Sequence, residues 1–294
     1  MSNFALDKNK SAYKLQGFTP VLWINCDKDE HRREFMENQF EYWNIKNQTR
    51  ITGIDAREDE DVTQYIKGRV PDNLSPGELG CCMSHLKAIK YFLDETDYDR
   101  VLIMEDDVDF STVKFWNFSW NDLVSYLPHD YDCMQFTVIN PAIVHITMHP
   151  RFINDFSAAC YLITRHHAEK IVRLHCRGGY TGKQTYKLDN GVQPRATSED
   201  CILYSGKTYV FPIFLFSMEH GSAIHDEHLD IFHKNSFNGV NEFWTTSGSQ
   251  VSIDQLMKYE PYMYGLPPGF DVNGPIPRAD EQKEGGLTQS QRIC

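Results

Sequence analysis

The stretch Val101-Leu102-Ile103-Met104-Glu105-Asp106-Asp107-Val108-Asp109 constrains the fold more than any other part of this sequence. Four consecutive apolar residues without alternation describe a strand buried on both faces, as in a parallel sheet lying between helical layers. The carboxylates then fall where that strand leaves the sheet. Three in adjacent positions, with Asp109 just beyond, repel one another strongly unless a cation sits among them. Mg²⁺ or Mn²⁺ suits such a cluster. These ions take oxygen ligands, commonly reach the protein through one or two carboxylates, and keep other positions for water and phosphate.

Apolar runs recur along the chain, and helical patterns fill the intervals. Pro20-Val21-Leu22-Trp23-Ile24-Asn25 is the first strand, and Phe35, Met36, Phe40 and Trp43 then recur at helical spacing. Residues 50–55 predict a second strand. Ser75-Pro76-Gly77-Glu78 opens the next helix with a cap, a first-position proline and a capping box. Gly80, one turn in, costs about 1 kcal/mol against alanine, so another backbone or a ligand is expected close by. Ser84 and His85 follow on the same helix. After the acidic strand, residues 113–127 predict an aromatic-rich helix stopped by Pro128. Residues 132–139 and 158–163 read as strands. Thr164 caps a helix on which His166 and His167 are expected at the surface. The last apolar run covers 209–216, after the acidic Ser198-Glu199-Asp200, where Ser198 is a possible cap. Behind it lies the histidine-rich segment from Glu219 to His228, suited to a metal or phosphate.

Strands alternating with helices predict an α/β fold with a mostly parallel sheet covered on both faces, and ligands in such sheets bind where the strands end. Asn25 and Asp27, with Arg32 and Arg33 in the following helix, occupy the place where such folds hold a nucleotide. For the arginines a solvated helix face is the competing reading. Residues 1–17 read as an arm, 18–264 as one domain and 265–294 as an irregular tail.

A formal charge of −12 argues against nucleic acid or an anionic membrane as the main partner. No stretch approaches the roughly 20 apolar residues that span a bilayer, and the start lacks a signal-peptide core, so a cytoplasmic protein without a transmembrane segment is expected. The eight cysteines form no CxxC pair and read as reduced, mostly buried thiols.

These landmarks, in this order, resemble glycosyltransferase family 25. The family's "INLD…R" is similar to Ile24-Asn25-Cys26-Asp27 with Arg32 or Arg33. Its "GEIGCxxSH" resembles Gly77-Glu78-Leu79-Gly80-Cys81-Cys82-Met83-Ser84-His85. Its "LILEDDV" matches Leu102 to Val108, and its "AYLIT…A" matches Ala159 to Thr164 with Ala168.

The resemblance implies a GT-A type, Rossmann-like fold and a nucleotide-sugar donor, usually a UDP-sugar. It also implies Mn²⁺, or Mg²⁺, held by Asp107 with Glu105, Asp106 or Asp109, and by a later histidine, His220 or His225. Asn25, Asp27, Arg32, Gly80, Ser84, His85 and Asp106 are the implied nucleotide-sugar residues. Glu199 or Asp200 is the implied base of an inverting hexosyl transfer, of galactose or glucose, to a glycan, lipid-linked (lipopolysaccharide) or protein acceptor. A metal-dependent phosphoesterase and a non-catalytic sugar-nucleotide or glycan binder are the alternatives. Residues 177–197 and the aromatics Phe232, Phe237, Phe243 and Trp244 are candidates for an acceptor wall, with core packing the other reading of the aromatics.

Overall fold

The computed structural model describes residues 13–57, 62–71, 74–178, 184–188, 197–218 and 232–258. All belong to the first of two compact units, Met1–Tyr259. The second, Glu260–Cys294, which contains the expected tail, lies outside the described residues, as do residues 1–12 of the arm.

The chain runs β1 (Val21–Asn25), α1 (Glu30–Tyr42), β2 (Gln48–Thr52), α2 (Pro76–Glu95), β3 (Arg100–Glu105) and β4 (Val108–Asp109). It continues through α3 (Trp120–Ser125), β5 (Cys133–Gln135), β6 (His149–Pro150), β7 (Cys160–Thr164) and α4 (Arg165–His175). Then come β8 (Cys176–Arg177), β9 (Thr185–Tyr186), α5 (Ser198–Ile202), β10 (Thr208–Val210), β11 (Leu215–Phe216), α6 (Lys234–Thr246) and α7 (Ile253–Met257). Seven strands form the main sheet in the order β2-β1-β3-β7-β5-β10-β6. β2, β1 and β3 are parallel, as are β5 and β10, while β7 runs against both β3 and β5, and β6 against β10. The result is the expected α/β, Rossmann-like fold with a mostly parallel sheet.

Both faces are covered, which is why β3 is apolar without alternation. Val21, Trp23, Leu102 and Met104 join one core cluster with Met36 and Phe40 of α1. Leu22, Ile24, Val101 and Ile103 join the other, with Met83, Leu86 and Ile89 of α2 and Ile171 of α4. Successive residues of one strand thus feed opposite layers. The first cluster is strongly aromatic. Trp244 is fully buried in it, Phe237 and Phe243 pack against it, and the Trp244 indole donates to the Pro212 carbonyl at 3.0 Å. Core packing therefore accounts for these three.

Several expectations are corrected. The helix expected over 113–127 is a 3₁₀ turn, Ser111–Phe115, followed by the short α3. Ser119 starts α3 anew through a capping box with Asp122, so the aromatic periodicity spans two pieces. The second strand is Gln48–Thr52, two residues earlier than expected. Residues 209–216 are divided into β10 and β11 around Pro212, which cannot donate to a ladder. His167 is fully buried rather than on the surface, its Nε2 2.8 Å from the Ile202 carbonyl. The cap of α5 is Thr197, not Ser198. Residues 13–17 join the fold, with Leu15 buried in the aromatic cluster. Among the described residues the seven cysteines form no disulfide, and five of them are buried. Among the described residues no helix is long and apolar enough to cross a membrane.

Candidate functional site

Because β1 and β3 are parallel neighbours, with Ile24 in register with Glu105, their carboxyl ends open onto the same edge. Asn25 and Asp106 meet there: the Asn25 amide donates to Asp106 Oδ2 at 2.7 Å. α1 begins five residues after Asn25 and turns Arg32 inward. Its Nε donates to Asp106 Oδ1 at 2.6 Å, and its Nη2 lies 2.6 Å from Asp106 Oδ1 and 3.1 Å from Asp107 Oδ2. Arg32 is therefore no solvated helix residue. It is only 9% exposed and is a cation of the kind the carboxylate cluster requires. Burial works against its charge, but Asp107 and Asp106 outweigh that and raise its pKa further.

Asn25 is held on every side. Its Nδ2 also donates to the Asp29 carbonyl at 3.1 Å, and its Oδ1 accepts from Arg33 at 3.3 Å and Arg50 at 2.9 Å. Asp27 is exposed and pairs with Arg50 at 2.5 Å. Arg50 thus ties the ends of β1 and β2 together, a role that nothing in its local sequence signals.

α2 forms the facing wall. Ser75 and Glu78 complete the expected capping box. A Cβ on Gly80 would collide with the Ile54 carbonyl and approach the Ala56 nitrogen to 3.0 Å, so the close backbone approach expected of this glycine is observed. Ser84 Oγ accepts from the Ile54 amide and donates to the Gly80 carbonyl, both at 2.7 Å. Cys81 and His85, one turn apart on α2, reach toward β3. His85 Nε2 lies 3.0 Å from Glu105 Oε1, and its Nδ1 lies 3.1 Å from the Tyr161 hydroxyl. The Cys81 thiol donates to Glu105 at 3.6 Å and lies 3.5 Å from Ser198 Oγ. Between the walls is a cavity of about 100 Å³, bordered by Asn25, Arg32, Ala56, Cys81, His85 and Asp106.

Ser198 brings α5 to this edge. Glu199 Oε1 accepts from the Ser157 amide at 3.3 Å, and Oε2 from the Ser198 hydroxyl at 3.2 Å. Ser157 has φ +92°, a conformation that costs a non-glycine residue about 1–3 kcal/mol and concentrates at functional sites. Partial burial lowers the pKa of the half-buried Arg151 guanidinium, and the charges of Glu199, Asp155 and Asp200 oppose that shift without reversing it.

The acidic residues differ in how they are satisfied. Burial pushes Glu105 up, but the His85 hydrogen bond and the charges of His85 and Arg32 outweigh it and hold the carboxyl below its usual range. Burial raises Asp106 despite Arg32 and Asn25. Asp107 is pushed up to about 7, by burial first, with Arg32 opposing and Glu105 and Asp106 adding to the rise. Burial and Glu105 raise the Cys81 thiol. Among the described residues Asp107 Oδ1 has no hydrogen-bond partner although it is buried. A hard cation fits that oxygen, and one carboxylate suffices for Mg²⁺ or Mn²⁺. Asp109 Oδ1 accepts instead from the Ser111 amide at 2.6 Å. His220 and His225 lie outside the described residues.

The structure thus brings together Asn25, Arg32, Ser84, His85, Glu105, Asp106 and Asp107, with Asp27 at the surface beside Arg50 and Glu199 and Asp200 on the neighbouring α5. Sequence reasoning missed Cys81, which the i, i+4 spacing to His85 signals. It also missed Tyr161 and Ser157, which only tertiary structure brings in.

Two solved structures are similar at low level. The crystal structure of HddC from Yersinia pseudotuberculosis is 10% identical, covering 72% of this chain and 78% of that one, with a TM-score of 0.32. HddC complexed with GMP-PN is also 10% identical, covering 77% of this chain and all of that one, with a TM-score of 0.32. Likenesses this distant carry no inference about activity. No curated protein matches the sequence. The profile of glycosyltransferase family 25 (LPS biosynthesis protein) matches residues 18–180, which include β1, α2, the acidic end of β3 and β7. With more than half of its length matched, including the strand ends that build the cavity, the chain belongs to glycosyltransferase family 25.

Proposed function

We propose that this glycosyltransferase moves a hexose, galactose or glucose, from a UDP-sugar to a hydroxyl of a glycan, lipopolysaccharide or protein acceptor, with inversion and with Mn²⁺ or Mg²⁺ as cofactor. The observation that carries this is the acidic edge itself. Arg32 pairs with Asp106, which borders the cavity, and with one oxygen of Asp107, while the other Asp107 oxygen is buried without a hydrogen-bond partner among the described residues. A divalent cation held by Asp107, with His220 or His225 as a further ligand, supplies Lewis-acid stabilisation of the charge developing on the leaving diphosphate.

The chain's own residues do the rest. The nucleotide enters the cavity between the end of β1 and α2. Asn25, fixed by Arg33, Arg50 and Asp106, holds that edge rigid. Gly80 and Ser84 lock the 53–56 segment against α2, which sets the width of the cavity. Asp27, Arg32 and His85 complete the donor side. On the other side Glu199 or Asp200 takes the proton from the acceptor hydroxyl as its oxygen attacks the sugar carbon and the bond to the diphosphate breaks. Such a base contributes about 10²–10⁴ in rate. The Ser157 amide and the Ser198 hydroxyl orient the Glu199 carboxylate.

A thermal-shift panel of UDP-, GDP- and CMP-sugars, with and without Mn²⁺, tests the donor, since a bound ligand raises stability by mass action. A shift with a UDP-hexose that requires Mn²⁺ is expected. A shift with metal alone and with no nucleotide sugar, accompanied by phosphate-ester hydrolysis, would replace this reading with the phosphoesterase.

A further inference from the structure

Glu105 is contacted by a second group of donors, His85 and Cys81 of α2. We propose that Cys81, His85 and Glu105 form a binding site for a borderline transition-metal ion, Zn²⁺ first among them, at the wall of the cavity. The three donor atoms lie within 4.8 Å of one another. His85 Nε2 and Cys81 Sγ stand 3.0 Å and 3.6 Å from Glu105 Oε1. A tetrahedral Zn²⁺ with bonds of about 2.0–2.3 Å has ligand–ligand edges of roughly 3.3–3.8 Å, so small side-chain movements close the set around an ion.

The surroundings suit a metal as well as the distances do. Cys81 and His85 are one turn apart on the rigid α2, and Glu105 ends the fully packed β3. The other nitrogen of His85 already has a partner in the Tyr161 hydroxyl, buried between sheet and helix. That outer hydrogen bond is what metal-bound histidines nearly always make, fixing ring orientation and leaving Nε2 as the ligand. Charge balances: a thiolate, a carboxylate and a neutral imidazole around a divalent ion sum to zero, which lowers the cost of a half-buried site. Ion binding releases the Cys81 thiol proton to solvent, leaves the neutral His85 ring with its one proton on Nδ1, where the Tyr161 oxygen accepts it, and exchanges two hydrogen bonds to Glu105 for metal bonds. Ser198 Oγ, 3.5 Å from Cys81, and the cavity leave the fourth position to water or an incoming ligand. The thiolate separates this site from the oxygen of Asp107: sulfur selects Zn²⁺ and its neighbours, and Mg²⁺ and Mn²⁺ select oxygen.

Co²⁺ titration of the full, chelator-stripped chain tests the site without reference to turnover or donor. A thiolate-to-Co²⁺ charge-transfer band with intensified tetrahedral visible bands is expected, saturating at one equivalent, displaced by Zn²⁺ and unaffected by Mg²⁺. Cys81→Ser removes the charge-transfer band, while Cys26→Ser, at the other thiol bordering the cavity, retains it. Tyr161→Phe keeps the band and weakens Co²⁺ binding about 10- to 100-fold. His85→Gln, a second route should Cys81→Ser fail to fold by circular dichroism, loses the tetrahedral bands. No band in the unmutated chain, a band retained in Cys81→Ser, or a band lost in Cys26→Ser overturns the proposal.

Discussion

Replacing Asp107 by asparagine separates the carboxylate's charge from its shape. Asp107 is held at about 7 in the folded chain against about 3.9 in an unfolded one. Between those values the native state binds more protons than the unfolded state, so unfolding free energy falls as pH rises through the window. Ionising Asp107 thus costs the fold up to about 4 kcal/mol by pH 8. Asp107→Asn carries no such charge, and its amide can still accept from Arg32. The stability difference between variant and unmutated chain should therefore grow with pH by up to about 4 kcal/mol from pH 4 to pH 8. An amide donor placed where Asp107 Oδ1 is unpartnered lowers the whole difference by about 1–3 kcal/mol without changing its slope. Urea denaturation of both proteins without added metal, at intervals across that range, measures it. Parallel stability curves would refute the burial argument. A carboxylate that costs stability next to Asp106, which borders the cavity, is also what a functional ligand looks like.

Other outcomes follow from the same geometry. Arg32→Leu leaves Asp106 and Asp107 buried without their cation and should lower unfolding free energy by about 3–5 kcal/mol at pH 7.5 in urea melts. Gly80→Ala forces α2 from the Ile54 carbonyl and should lower stability and nucleotide-sugar affinity together, read by thermal denaturation and titration calorimetry. Glu199→Gln and Asp200→Asn should both bind the donor, and the one that removes the base should lose about 10²–10⁴ in turnover. If both retain near-normal turnover, neither is the base.

Much of the frame was legible because local and tertiary signals agreed. β1, β3 and α2 carry unbroken apolar runs or a full capping box, and Thr164 caps α4 as expected. The acidic edge was legible for the same reason, since a buried strand ending in carboxylates points to a strand-end site. What failed depended on distant partners. The repulsion among Glu105, Asp106 and Asp107 correctly demanded a cation, yet Arg32 stands 74 residues from Asp106 and looks like an ordinary charged helix residue. His167 looked exposed because its carbonyl partner, Ile202, comes from α5. The helix expected over 113–127 came from aromatic spacing that reports burial in one layer, whereas Ser119 and Asp122 mark where the backbone starts again.

The most direct test of the account is release of UDP from a UDP-hexose by the unmutated chain and by Asp107→Ala, each with Mn²⁺ and after chelation. Slow release that needs Mn²⁺ and is lost in the variant, although the variant remains folded, is expected. Release that is equal in both proteins, or indifferent to chelation, would contradict the role given to Asp107 and to the acidic end of β3.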